Sequence, residues 1–304
     1  MKLADAPTPN ILSFDVEDWA QSTFDFDLPI TASVVDNTAR ILDLCAAAGV
    51  KGTFFVLGLV AEAHPALVRR IRDAGHEVAS HGHDHRPVHA MTPATFRDDL
   101  RRARTAIEAA CGAEVAGYRA PDFSIPAAAF WALEVLAGEG YRYDSSLFPW
   151  KGPRYGVPEA FDAPFLVRTR AGDLLELPLA VSTRLGRRLP AVGGGYFRLF
   201  PDAWHRDAIR RLNRRGHPAT AYFHPYEVDA QEFRRTPHRV PLRMRWSQGF
   251  GRARVAPRLG RLLRDAAWGT AIDWLARKET ATGDRLLDLV AGGTAAPRWS
   301  GAAG

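Results

Sequence analysis

Short apolar runs alternate along this chain with segments whose apolar residues recur at helical spacing. The runs Asn10–Phe14, Gly52–Leu57, Glu77–Ser80, Ala116–Arg119, Tyr141–Asp144 and Ala219–Phe223 are brief and largely apolar, as strands buried on both faces are. Between them, Ser33–Ala48, Ala61–Ala74, Pro93–Ala110 and Pro126–Gly138 carry apolar residues three and four apart, and Asp202–Arg214 does so before the last strand. The punctuation agrees. Gly49 and Gly75 stand where a left-handed residue closes a helix, and Thr92 ahead of Pro93 is placed as an N-cap. This repetition predicts a parallel sheet with helices outside it.

The pattern loosens between Trp150 and Pro201, where short β segments (Phe165–Arg168 and Leu174–Leu177) alternate with turn residues. The run Gly193-Gly194-Gly195-Tyr196-Phe197-Arg198 lacks the strand–loop–helix setting and the lysine of a phosphate loop, so it reads as a loop shaping a cleft. Beyond Pro257 an arginine-rich helix is expected to run to about Lys278. The organisation predicted is a catalytic domain over residues 10–230, an arginine-rich extension over 231–280 packing on it, and a disordered tail over 281–304.

With 304 residues, 46% hydrophobic and 24% charged, the chain has the composition of a globular protein with one large core. No apolar run reaches the roughly 18 residues a membrane helix needs. Nor does Met1–Pro7 carry the apolar stretch of a secretory signal. Cys45 and Cys111 fall in helical stretches and read as buried thiols rather than a disulfide. Together these features predict a cytoplasmic protein, with peripheral contact to the inner membrane as an option. Of the net charge of +6, ten arginines lie between Arg234 and Arg264 with no acid among them, so the rest of the chain is net negative. That segment reads first as a solvated face. An anionic glycan, lipid or membrane surface is its next reading, and nucleic acid the least favoured.

Candidate chemistry sits where predicted strands end. Ser13-Phe14-Asp15-Val16-Glu17-Asp18 closes an apolar run with three carboxylates. His81-Gly82-His83-Asp84-His85 holds two imidazoles four residues apart, which a helical turn or a tight loop brings to one ion, with His83 pointing away. Tyr118-Arg119-Ala120-Pro121 offers a fixed cation, and His224 ends the strand Ala221-Tyr222-Phe223. One carboxylate and two imidazoles suit Zn²⁺ best, with Co²⁺ or Ni²⁺ also compatible, and leave positions open for water and substrate. A second carboxylate beside them supplies a base.

At these residues the chain resembles the polysaccharide deacetylase (NodB-homology) family, and most closely the branch found with bacterial exopolysaccharide and exosortase loci. The family's Thr-Phe-Asp-Asp motif is similar to Ser13-Phe14-Asp15 followed by Glu17 and Asp18. Its His-Ser/Thr-x-x-His matches His81 to His85, its Arg-x-Pro matches Arg119 and Pro121, and its late strand ending in histidine matches Ala221–His224. The likeness covers residues 10 to 265, and four motifs in order make it specific.

The resemblance implies a deformed (β/α) barrel of about seven parallel strands with catalytic groups at the C-terminal strand ends. It implies Asp15 as base, Arg119 as its partner and His224 as the acid that protonates the leaving amine. The metal ligands would be His81, His85 and a carboxylate, either Glu17 or Asp18, with Asp18 preferred because aspartate is the family's ligand. The Asp-Trp pair that usually tunes the late histidine is absent, leaving Asp144 and Glu176 as candidates. Trp19, Phe123, Trp150, Tyr196, Phe197 and Tyr226 are available to stack on sugar rings. The implied reaction is removal of N-acetyl groups from an amino-sugar glycan. A related amidohydrolase on a small cyclic amide or ureide and a non-catalytic glycan-binding module remain the alternatives.

Overall fold

Residues of β1, Asn10–Val16, are buried throughout and alternate in destination, and this alternation organises the molecule. Leu12, Phe14 and Val16 pack outward against helices, whereas Ile11 joins Phe55, Ala79, Tyr143, Leu175 and Trp274 in a separate inner cluster. Ser13 and Asp15 share that inner face with Ile11 and meet Arg119 there. The computed structural model describes residues 9–236, 238–277, 284–291 and 297–301.

In chain order the further strands are Thr53–Val56 (β2), Glu77–Ser80 (β3), Gly117–Tyr118 (β4), Tyr143–Asp144 (β5), Phe165–Thr169 (β6), Gly172–Glu176 (β7), Val181–Arg184 (β8), Arg187–Pro190 (β9), Thr220–Phe223 (β10), Trp268–Gly269 (β11), Leu286–Asp288 (β12) and Arg298–Ser300 (β13). Strands β10, β1, β2, β3, β4, β5 and β7 lie side by side in that order, each neighbouring pair parallel. Past β7 the chain crosses the remaining gap. Leu177 N–H donates to Asp144 O, Leu179 N–H to Leu147 O and Ala180 N–H to Thr220 O, which carries the backbone from β5 to β10 and closes the ring. The protein is therefore a deformed parallel barrel wrapped by helices, the architecture the alternation and the resemblance imply. β8 and β9 form a separate hairpin.

Several helices follow the sequence closely. Ser33–Ala48 ends at Gly49 with φ of 67°, and Pro93–Cys111 starts at Thr92, whose hydroxyl accepts from Thr95 N–H. Others differ for local reasons. The helix expected over Ala61–Ala74 is two, Gly58–Ala63 and Pro65–Asp73, because Pro65 has no N–H and holds His64 at φ −135°, ψ 60°. The run Gly193–Arg198, expected as a loop, is mostly the short helix Gly194–Leu199.

The C-terminal third departs most. In place of one helix from Pro257, Val255–Asp265 is followed by β11, which pairs with Asn10 and Ile11, and then by Ala271–Arg277. Trp274, 2% exposed, plugs the inner cluster, and that burial explains the interruption. The expected disordered tail over 281–304 is corrected at two places. β12 pairs with β6, and β13 with β12. Leu287 is fully buried there, and Trp299 packs on Phe130, Phe161 and Phe165. Residues 281–283, 292–296 and 302–304 of that tail lie outside the described residues. No helix among the described residues is long and apolar enough to cross a membrane. Cys45 and Cys111 are free and buried, as expected.

Candidate metal centre

Four strand ends deliver side chains to one cavity of about 210 Å³, whose lining includes Asp15, Glu17, His81, His85, Asp122 and His224. Larger cavities occur, including one of about 440 Å³ beside Asn10, Asn213 and Ala267 at the opposite strand ends. Among the described residues only Glu17, His81 and His85 form a cluster able to hold a metal, their ligand atoms lying within 4.8 Å of one another.

The two histidines occupy a bent loop rather than a helical turn. His81 follows β3 directly, and its N–H donates to Val56 O. Gly82 at φ 79° and His85 at φ 65° then fold the chain back. Gly58 N–H and Leu59 N–H bond the carbonyls of Gly82 and His83, and Asp99 accepts from His83 N–H, so the loop is pinned from two helices. The His83 ring is buried, 3.0 Å from Glu62, and takes no part in the cluster. His81 Nδ1 lies 2.8 Å from the carbonyl of Arg119, so this nitrogen carries the proton and Nε2 is left as a lone-pair donor.

Glu17, not Asp18, brings its carboxylate to the two histidines. Its Oε2 lies 2.5 Å from His85 Nε2 and 3.5 Å from His81 Nε2. Strand alternation explains the choice, because Glu17 shares the inward face of Asp15 and Asp18 falls on the other side. The Asp18 carboxylate accepts from Ala20 N–H, Thr31 N–H and the Thr31 hydroxyl, stitching the turn after β1. Burial works against a charge on Glu17, yet His85, His81 and His224 hold its pKa well below the usual range. Burial likewise works against charge on His85, but Glu17 raises it. Glu17 Oε2 meets the two imidazoles at ion-pair distance without a well-directed hydrogen bond, and His85 Nδ1 is buried without a partner, although such atoms are nearly always satisfied in folded proteins. An anionic oxygen and two imidazole nitrogens converging with polar capacity left over fit a divalent metal.

Arg119 is fully buried and all three of its side-chain nitrogens are engaged. They reach Asp15 Oδ1 (2.8 Å), Ser13 Oγ (2.7 Å), Ser145 Oγ (2.8 Å) and Ser145 O (3.1 Å), while its plane lies over Phe55. Such a fork fixes Asp15 in one orientation. The other carboxylate oxygen, Oδ2, stands 3.9 Å from His224 Nε2. Pro121 is not in the cavity wall. It lies against Gly82, where an added Cβ would sit 3.6 Å from its Cγ, and so braces the histidine loop.

The partner of His224 is neither Asp144 nor Glu176. Asp144 takes the Ser146 hydroxyl and Glu176 takes Leu147 N–H, and the two carboxyls face each other in the barrel wall. Glu227 does the pairing instead. Its Oε2 is 3.2 Å from His224 Nδ1 and accepts from His224 N–H at 3.1 Å, while Arg198 lies 3.6 Å from its other oxygen. Burial disfavours charge on His224, but the Glu227 bond with the charges of Glu17, Glu227 and Asp15 lifts its pKa to about 9. The spacing His224-Pro225-Tyr226-Glu227, a residue with a glutamate three positions on across a proline-initiated turn, was the sequence signal for this pair. Arg154, Tyr155, Arg198, Tyr222 and Gln248 also line the cavity with no signal in the linear pattern. Of the aromatic candidates, Phe123 and Tyr226 reach the wall, Tyr226 stacked 5.0 Å from His224.

Comparison with known proteins agrees with this geometry. Residues 17–143 match the family Polysaccharide deacetylase, and residues 145–276 match a domain of unknown function (DUF3473). A chitooligosaccharide deacetylase of Sinorhizobium fredii is 39% identical over 145 residues, 46% of this chain and 64% of that protein. A chitooligosaccharide deacetylase of Bradyrhizobium is 33% identical over 100 residues, 33% of this chain and 43% of that one. A peptidoglycan deacetylase of Helicobacter pylori is 32% identical over 157 residues, covering 46% and 51%. The chain thus spans less than two thirds of the length of each of these relatives. Among solved structures, a Mycobacterium smegmatis protein described provisionally as a polysaccharide deacetylase superposes with a TM-score of 0.60 at 22% identity, over 89% of this chain and 90% of that one. Puue allantoinase gives 0.59 at 16% identity over 90% of each chain, a likeness of fold. With its motifs gathered at one end of a parallel barrel and residues 17–143 matched by the family model, this part of the chain is similar to the polysaccharide deacetylases.

Proposed function

We propose that this protein is a metal-dependent hydrolase that removes N-acetyl groups from amino-sugar residues of a bacterial exopolysaccharide or its precursor. The observation that carries the reading is one cavity holding a metal-type donor set, Glu17, His81 and His85, beside a carboxylate fixed by Arg119 and an imidazole poised opposite it. The deacetylase relatives support the reaction class.

Glu17, His81 and His85 would hold the ion, Zn²⁺ in preference to Co²⁺ or Ni²⁺, and when bound it supplies Lewis acidity and a water of lowered pKa. Asp15 is the base. Arg119 occupies its Oδ1, leaving Oδ2 toward the cavity to take a proton from the attacking water. Asp122, the residue after Pro121, lines the cavity wall, and its backbone N–H is the donor we assign to the developing oxyanion. His224, oriented by Glu227, donates its proton to the amide nitrogen as the carbon–nitrogen bond breaks, giving acetate and a free amine. Phe123 and Tyr226 offer flat faces for the sugar.

Acetate release from N-acetylated chito-oligosaccharide by metal-loaded protein tests this reading. Asp15→Asn should keep its metal and lose about 10²–10⁴-fold in turnover, the usual worth of a positioned base. Metal-loaded wild type that binds the oligosaccharide without releasing acetate would point to a binding module instead.

A further inference from the structure

The helix Leu242–Gly249 has two faces of different fate. Met244 packs inward with Trp19, Phe233 and Val240. Gln248, also inward, accepts from the Trp19 indole N–H at 2.6 Å and borders the site cavity. Leu242, Trp246 and Phe250, spaced four apart, face outward with 80%, 74% and 53% of their surface exposed. The rings of Trp246 and Phe250 are 6.3 Å apart, so they form one patch. Leu199, 63% exposed, stands beside it, because its neighbour Arg198 bonds the carbonyls of Gln248 and Phe250. Single exposed apolar residues are ordinary, but four at one edge mark a contact surface.

Charge selects what covers it. Arg234, Arg239, Arg243, Arg245 and Arg254 are exposed and make no ion pair among the described residues. By contrast Arg235 engages Asp229, Arg258 and Arg261 engage Asp202, and Arg252 is buried against Tyr226 and Phe233. No acid occurs between Arg234 and Arg264. A second copy meeting this face would set unpaired arginines against one another, since a two-fold contact uses the same patch twice. A soluble glycan has no use for exposed leucines. An anionic bilayer satisfies both features, because aliphatic and indole groups settle at the acyl–headgroup boundary while guanidinium groups meet lipid phosphates.

We propose that the Leu242–Phe250 edge, with its unpaired arginines, docks this protein on an anionic lipid bilayer. Gln248 joins that edge to the cavity, so docking brings the cavity mouth to the membrane surface, and the proposal stands whichever reaction the cavity performs.

Co-sedimentation of the full chain with phosphatidylglycerol or phosphatidylcholine vesicles tests it. Binding to the anionic vesicles at low salt should be at least about tenfold tighter than to the neutral ones and should weaken steeply toward about 0.5 M salt. Trp246→Ser with Phe250→Ser, and separately Arg243→Glu with Arg245→Glu, should each weaken it by at least about tenfold, with melting temperature and turnover of a short soluble substrate kept. Absence of binding to phosphatidylglycerol vesicles, or variants that bind like wild type, overturns the proposal. So does a lipid-free dimer that Trp246→Ser with Phe250→Ser dissociates, or binding to a soluble anionic polysaccharide without binding to vesicles.

Discussion

Glu17 and Asp18 are neighbours in sequence and opposite in task. Glu17 points into the cavity with a buried oxygen that faces only the two imidazoles, whereas the Asp18 carboxylate is filled by donors from Ala20 and Thr31. The two therefore separate by experiment. Glu17→Gln should strip the ion on metal analysis while the fold is kept. Asp18→Asn should retain the ion yet melt lower, by on the order of 1–3 kcal/mol, the cost of weakening buried charge-assisted hydrogen bonds. Equal metal content in the two variants would sink the assignment of Glu17. His224 follows the same logic of local chemistry set by distant and near partners. Its charge is supported by Glu227 three residues on, by Asp15 of β1 and by Glu17 just after that strand.

At the scale of elements, the short helix Gly194–Leu199 matters because it carries Gly195 and Arg198 to the cavity. Its entry depends on one glycine. Gly193 sits at φ 129°, and a Cβ there would fall 1.9 Å from the Tyr222 carbonyl oxygen on β10. Gly195, two residues on, would meet only the end of the Arg198 side chain at 3.3 Å. Gly193→Ala should thus destabilise by about 2 kcal/mol or more, through strain and displaced backbone. Gly195→Ala should stay within about 1 kcal/mol of wild type, since alanine suits a helix interior. Thermal melts of the two variants decide it, and similar losses in both would mean that the approach of Gly193 to β10 is not what holds this helix.

Across the whole molecule, stability should carry the signature of a buried carboxyl pair in the barrel wall. Burial raises Asp144 to about 6, and burial together with the charge of Asp144 raises Glu176 well above the usual range. Both folded-state values exceed those of the unfolded chain, so the folded state binds protons more tightly. The contribution is fully present below the unfolded carboxyl range near about 4 and is lost as pH rises through about 6 and beyond. Asp144→Asn removes the charge that repels Glu176 while keeping an acceptor for Ser146. Its melting temperature should fall less than that of wild type between pH 5 and pH 8. Parallel curves would show that the pair does not set this slope.

The linear pattern carried a good deal. Helix Ser33–Ala48, strand Glu77–Ser80 and helix Asp202–Arg214 occupy the residues their apolar spacing and end signals indicate, because those signals are local. The sequence by itself also determined which residue types the site would use, since Asp15, His81, His85, Arg119 and His224 stand at strand ends and parallel strands must converge there. It did not determine which of two adjacent acids turns inward, since that depends on where β1 stops twisting against its neighbours. Nor did it determine that Glu227 rather than Asp144 or Glu176 reaches His224. Only the closed barrel decides that, by setting Asp144 and Glu176 against each other in the wall and leaving Glu227 beside the imidazole. The same holds for Trp274, which is buried, and Trp299, which is half-buried against the core, because the surfaces they pack on exist only once the barrel has formed.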